Sequence, residues 1–172
     1  GVFGDVGASQ ALQQADVVLV LGSKFAQFNS FLFRLPAKTQ EIIHVDIDPT
    51  SISKTIQVDV PIVGAVDTVL DQMLEAVAEL GLEIDDGALA DWWEQIDGWR
   101  AKRCLAYEKS NSIIKPQQVI ETLYKVTEGK AFVASDVGQH QMFAALYYPF
   151  AEPRQWINSG GLGTMGFGLP AA

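Results

Sequence analysis

Short apolar runs that stop at a glycine or a proline constrain this chain more than any other feature. Asp16-Val17-Val18-Leu19-Val20-Leu21 ends at Gly22-Ser23, and Glu41-Ile42-Ile43-His44-Val45-Asp46-Ile47-Asp48 ends at Pro49. Runs of this length, rich in β-branched residues, read as two strands of one sheet, the first of them apolar enough to be buried on both faces. Val58-Asp59-Val60-Pro61-Ile62-Val63-Gly64 reads as a third short strand. Residues 65–80 then place Val66, Val69, Leu70, Met73, Leu74 and Val77 at helical spacing. Strands alternating with helices predict an α/β fold of open parallel sheets flanked by helices, with ligands off the carboxyl ends of the strands.

Elsewhere in the chain the same grammar recurs. Residues 8–15 suit a short helix, and 24–38, rich in Phe, suit one helix or a loop that covers a ligand. An acidic linker at 81–87 leads into a long helix predicted over 88–109. Its Trp92, Trp93, Ile96 and Trp99 fall on or near one stripe and read as packing, a brace between two domains. A second α/β unit starts at Ile113. Pro116 sits at a first helical position, Val119, Ile120, Leu123 and Val126 follow at helical spacing, and Gly129 ends the helix. Residues 131–136 read as the next strand, 139–148 as a helix, 155–158 as a short strand and 168–172 as the start of a helix. The organisation expected is a first domain over 1–81, a linker and bracing helix over 82–112, and a second domain beginning at 113 and running to 172.

Composition removes several classes of function. With 48% apolar residues in 172, the chain can build a core. Its net charge is −9, from 12 basic and 21 acidic residues, and no basic cluster forms a stripe that could track a phosphate backbone, so nucleic acid is a poor partner. One cysteine, Cys104, excludes an internal disulfide and a cysteine-rich zinc site, which fits a reducing compartment. No apolar run approaches the ~20 residues that cross a bilayer, and the first residues lack the basic start of a signal peptide. A cytoplasmic or organellar-matrix protein with no membrane partner is expected. The chain opens without Met and stops inside a helix start, so it reads as an internal piece of a longer protein.

Two stretches carry chemistry. Ser135-Asp136-Val137-Gly138-Gln139-His140-Gln141-Met142 lies where a buried strand gives way to a helix. Free amides and the dipole at a helix N-terminus favour an anion such as a phosphate, and Gly138 lets the backbone approach it. A polar turn with His140 as a cap is the alternative. Asn158-Ser159-Gly160-Gly161-Leu162-Gly163-Thr164-Met165-Gly166-Phe167-Gly168 holds five glycines in eleven residues. It matches neither a Walker loop nor a dinucleotide fingerprint, and it is too apolar for a linker. It reads as a loop near a ligand.

Both stretches, with Leu169-Pro170-Ala171-Ala172 after the second, resemble the start of the diphosphate-binding domain of acetolactate synthase catalytic subunits, which are thiamine-diphosphate-dependent. Ile47-Asp48-Pro49-Thr50-Ser51-Ile52-Ser53-Lys54-Thr55 and residues 58–64 are similar to that family's central, flavin-contacting domain, and Ile114-Lys115-Pro116-Gln117 to the segment after it. The resemblance runs from about Asp48 to Ala172. It implies thiamine diphosphate as cofactor, Mg2+, FAD in a structural role, and small 2-keto acids as substrates. Pyruvate loses carbon dioxide and its two-carbon remainder joins a second 2-keto acid, as in branched-chain amino acid biosynthesis. It also implies that Val137, Gly138, Gln139 and His140 hold the diphosphate, that the Gly163 backbone faces the aminopyrimidine, and that Met165 props the bent cofactor. Gln141, Met142, Asp46, Ile47 and Ser51 match flavin contacts. A homodimer or larger assembly is implied, with a regulatory subunit as a further partner.

Residues 1–45 depart from the pattern. Lys24-Phe25-Ala26-Gln27-Phe28-Asn29 stands where the family has an Arg-Phe-Asp-Asp-Arg-like run that touches the flavin. Two further groups are implied to lie outside the chain, the glutamate that activates the aminopyrimidine and the Gly-Asp-Gly-to-Asn motif that holds the magnesium. No catalytic residue or metal ligand is therefore expected within it. Asp136 is the tempting ligand, but a lone carboxylate is a weak site for a cation that takes six oxygens. Two alternatives stay open, another thiamine-diphosphate-dependent 2-keto acid decarboxylase or carboligase such as glyoxylate carboligase, and a non-catalytic module that binds a nucleotide or flavin.

Overall fold

The computed structural model describes residues 5–25, 40–83 and 85–172. It divides into two compact units, Gly1–Cys104 and Leu105–Ala172.

In the first unit, helix α1 (Val6–Gln14) starts at Asp5, whose carboxylate accepts the Ala8 amide at 2.7 Å as an N-cap. Strands β1 (Val17–Leu21), β2 (Glu41–Asp46) and β3 (Val60–Val63) then form a parallel sheet in that order. Val18 lies opposite Ile42, and Ile43 opposite Val60. Pro61 donates no amide, and the edge strand β3 is where a sheet tolerates that loss. Asp59 extends the β2–β3 ladder backwards, its carboxylate accepting the Ile42 amide at 2.8 Å while its own amide donates to the Ile42 carbonyl. Gln40 ties the end of α1 to the start of β2, donating through Nε2 to the Leu12 and Ala15 carbonyls. Val18, Val20, Ile42, Ile56 and Val58 make the core, with Leu12, Ala15, Phe25 and Ile52 packed against it.

Burial in β1 alternates. Val18 and Val20 are buried, whereas Val17, Leu19 and Leu21 are exposed. The expectation that β1 is covered on both faces is corrected for this chain, because β1 is an edge strand of the described sheet and its Val17, Leu19 and Leu21 are exposed. Beyond β3, helix α2 (Val66–Glu79) buries Val69 and leaves Leu74, Val77 and Leu80 exposed. Helix α3 (Asp86–Ala101) packs on α1, where Gly7 brings the two close enough that a Cβ would stand 3.5 Å from Trp99 Cβ. Trp92 and Trp99 meet edge to face at 5.7 Å. This helix is shorter than its sequence predicts, since Arg103 takes a left-handed φ of 44° and ends it. Trp92 and Trp99 make these contacts within the first unit. Of the region 24–38, residues 26–38 lie outside the described residues.

The second unit is built on helix α4 (Pro116–Val126), strand β4 (Val133–Ala134), helix α5 (Gln139–Tyr147), strand β5 (Trp156–Ile157) and the short helix α6 (Gly168–Ala171). β4 and β5 are parallel, Val133 opposite Trp156 and Ala134 opposite Ile157. Both are shorter than the runs that encode them, because each has one strand neighbour and two rungs. An aromatic series holds the unit together. Tyr124 on α4 meets the buried Tyr148 edge to face at 5.2 Å, Tyr148 meets Phe150 at 4.6 Å, and Phe150 stacks on Trp156 at 5.4 Å. Gln155, also buried, accepts the amides of Ala151 and Glu152 and donates to the Gly129 carbonyl, which closes the turn into β5. The open parallel sheets and flanking helices are those the sequence predicts.

Candidate functional site

Parallel pairing puts the carboxyl ends of β4 and β5 side by side, and each is followed at once by one of the two informative stretches. After β4 come Ser135 and Asp136. After β5 comes the glycine-rich run. Trp156 fixes the first of these, its indole N–H donating to Ser135 Oγ at 3.0 Å.

Asp136 joins the two stretches. Oδ1 accepts the amides of Val137 at 2.7 Å and Gly166 at 2.9 Å, and Oδ2 accepts that of Gly168 at 3.0 Å. These bonds to Val137, Gly168 and Gly166 hold its carboxyl below the usual carboxylate range, with the nearby His140 acting in the same sense and partial burial opposing. Gly168 lies so close to β4 that a Cβ there would collide with the Asp136 backbone and come within 2.8 Å of the Ser135 carbonyl carbon. Only glycine fits. Within the run, Ser159 accepts twice, its carbonyl from the Gly163 amide at 2.9 Å and its Oγ from the Thr164 amide at 2.9 Å. Gly166 takes φ +83°, which a side chain would strain.

Gly138 is the N-cap of α5, with φ 154° and ψ −167°. Its carbonyl accepts the amides of Gln141 and Met142, so the helix begins beyond the glycine and the amides of Gln139 and His140 stand in its first turn. The first turn of a nine-residue helix, reached past a residue without a side chain, fits a diphosphate group. The His140 ring folds back on Gly138, its Cε1 3.0 Å from where a Cβ would sit.

Comparison with known proteins bears on what this junction holds. Residues 136–172 match the thiamine pyrophosphate enzyme C-terminal TPP binding domain, and residues 1–73 match the thiamine pyrophosphate enzyme central domain. The chain belongs to the thiamine pyrophosphate enzymes. It is 52% identical over all 172 residues to the acetolactate synthase isozyme 3 large subunit of Escherichia coli, 49% to the acetolactate synthase large subunit of Haemophilus influenzae and 40% to the chloroplastic acetolactate synthase 1 of Zea mays. It spans 30% of the length of the two bacterial relatives and 27% of the maize one.

Similarity to these enzymes includes residues 1–45, which corrects the expectation that it begins near Asp48.

In this member of the family, the junction in the second unit brings together Val137, Gly138, Gln139 and His140 with Gly166 and Gly168. Gly163, at φ +62°, and Met165, 79% exposed, lie on the same glycine run. Gln141 is buried on α5 and Met142 is 40% exposed. Asp46, Ile47 and Ser51 sit in the first unit, at the turn after β2. There Asp46 Oδ1 accepts the Asp48 amide, and Asp48 in turn accepts from Thr50 and Ser51. The Thr50 bonds lower the Asp48 carboxyl below its ordinary value. Ile47 is 73% exposed. Among the described residues no group of three His, Cys, Asp or Glu side chains could hold a metal, and no helix is long and apolar enough to cross a membrane. Sequence reasoning weighed Asp136 only as a metal ligand and missed that backbone amides fill its carboxylate. The signal available was its position, a carboxylate at a strand end opposite a glycine-rich run.

Proposed function

We propose that this chain is the part of an acetolactate synthase large subunit that carries one side of the thiamine diphosphate site. The observation that supports this is the junction at the ends of β4 and β5, where the first turn of α5 and the glycine run converge on Asp136 within the segment similar to a TPP binding domain. In this reading the amides of Gln139 and His140 donate to the diphosphate, Val137 shapes the turn and Gly138 leaves the space for it. The Gly163 backbone would face the aminopyrimidine, and Met165 would prop the cofactor in its bent shape. Bound thiamine diphosphate supplies the electron sink for decarboxylation of a 2-keto acid. The protein positions the cofactor, keeps water from the reacting carbon and admits a second 2-keto acid, with Mg2+ held by ligands outside residues 1–172.

FAD belongs to the same proposal. Asp46 and Ser51 spend their hydrogen bonds on the turn after β2, which presents Ile47 as an apolar contact for a flavin ring, while Gln141 and Met142 lie on α5. A homodimer or larger assembly, with a regulatory subunit as a further partner, is supported by the apolar surface of the glycine run and the helix after it, where Leu162 is 92% exposed and Leu169 88%. A compartment that keeps thiols reduced, cytosol or organellar matrix, accords with the exposed free Cys104.

The test uses the complete subunit, supplied with Mg2+ and thiamine diphosphate. Condensation of two pyruvates to acetolactate is expected, and denaturation should release a fluorescent flavin. Release of an aldehyde, or reaction of glyoxylate in preference to pyruvate, would move the protein to another branch of the family. No binding of thiamine diphosphate would leave only a non-catalytic module.

A further inference from the structure

We infer that Asp136 is a positioning residue for the cofactor, the anchor that holds the glycine run in its ligand-ready shape before any ligand arrives. The inference rests on the reading of the junction as a thiamine diphosphate site. Its ground is geometric. One carboxylate accepts three amides, one from the residue that follows it and two from residues 30 and 32 positions further on. Each bond joins a charge to a neutral donor, the stronger class of hydrogen bond. Between Ser159 and Gly168 the chain has four further glycines, a composition that loses more backbone entropy on ordering than any other. Internal bonds to Ser159 fix the loop only as far as Gly163 and Thr164. Beyond them, the link from loop to sheet runs through Asp136, and Gly168 closes against the same backbone with no room for a side chain.

A loop held in one shape binds more tightly than one that must be ordered by its ligand, since the apparent dissociation constant rises as the competent fraction falls. Asp136 thereby sets cofactor affinity without touching the reacting atoms. Its negative charge lies close to the proposed diphosphate position, but its lone pairs are directed at the amides of the loop. That assignment differs from a metal ligand, which would need those lone pairs for a cation.

The experiment is residue-resolved hydrogen exchange on the complete, ligand-free subunit, with cofactor titration of the same protein and of Asp136→Asn. In the unaltered protein the amides of Gly166 and Gly168 should show protection factors well above those of Gly161 and Leu162, for which no acceptor exists among the described residues. Asn offers one carbonyl oxygen and turns an NH2 toward a donor. Asp136→Asn should therefore remove the protection of at least one of these two amides and raise the Kd for thiamine diphosphate about tenfold to a hundredfold, while kcat at saturating cofactor changes far less. A purely structural role predicts the reverse split, a lower kcat from a smaller folded fraction with Kd unmoved. The inference fails if Gly166 and Gly168 exchange as freely as Gly161 and Leu162 in the unaltered protein, a result that needs no folded variant. It fails equally if Asp136→Asn frees either amide and leaves Kd unchanged. Protection of both amides in a protein that binds no thiamine diphosphate would sink the proposed function and leave the loop anchor standing.

Discussion

At Gly168 a single hydrogen atom in place of a methyl group decides whether the glycine run reaches the sheet. An alanine Cβ would collide with the Asp136 backbone, so Gly168→Ala should destabilise the second unit by about 1–3 kcal/mol, the usual cost of overpacking. Equilibrium urea unfolding checks it. Asp136 beside it carries a pH dependence whose sign is fixed. Its carboxyl is held below the ordinary value of 3.8 in the fold, so its contribution to stability is complete above that value and is lost only as pH falls through the lower, folded one. Carboxyl-carbon shifts should therefore show Asp136 still ionised at a pH where an ordinary aspartate is half protonated. Trp156→Phe keeps the stack on Phe150 and removes the bond to Ser135 Oγ, a loss of about 0.5–1.5 kcal/mol readable by thermal unfolding.

Among the elements, periodicity was the informative quantity. The continuous apolar run Val17-Val18-Leu19-Val20-Leu21 that stops at Gly22 is a strand signal, and the stripe through Val66, Val69 and Met73 is a helical one. Element type was accordingly legible, while the ends were not. The helix read to residue 109 stops at Ala101, because its termination depends on Arg103 taking a left-handed φ, which no apolar pattern encodes. β4 shrank from six residues to two for a different reason, since strand length is fixed by the neighbour that pairs with it. The core of the first sheet gives a prediction at this scale. Ile42 is 1% exposed near the start of β2, the strand that lies between β1 and β3, so Ile42→Ala should cost about 2–5 kcal/mol, seen as a lower urea midpoint.

Viewed as a whole molecule, the chain leaves much apolar surface open. Val17, Leu19 and Leu21 on the sheet, Leu74 and Leu80 around α2, Leu162 and Met165 on the glycine run, and Leu169 on α6 are all exposed. Patches on this scale mark surfaces that meet something else. The 172-residue chain expressed alone should bind a hydrophobic dye and associate as its concentration rises, measured by fluorescence and light scattering. A monomeric, dye-free chain would contradict that expectation. By the same reasoning the isolated chain should form no acetolactate from pyruvate, because the activating glutamate and the magnesium ligands are proposed to come from outside it.

By itself, the sequence determined the class of fold, the family, and the location of the two stretches where chemistry gathers. Those properties are local, written in the spacing of apolar residues and in short motifs such as residues 136–142 and 156–168. Only the tertiary structure decided that Asp136 spends its carboxylate on Gly166 and Gly168, and that one face of β1 stands open among the described residues. A hydrogen bond across 30 or more residues, or the cover over a sheet face, depends on which strand lies beside which, and a one-dimensional pattern does not carry that pairing.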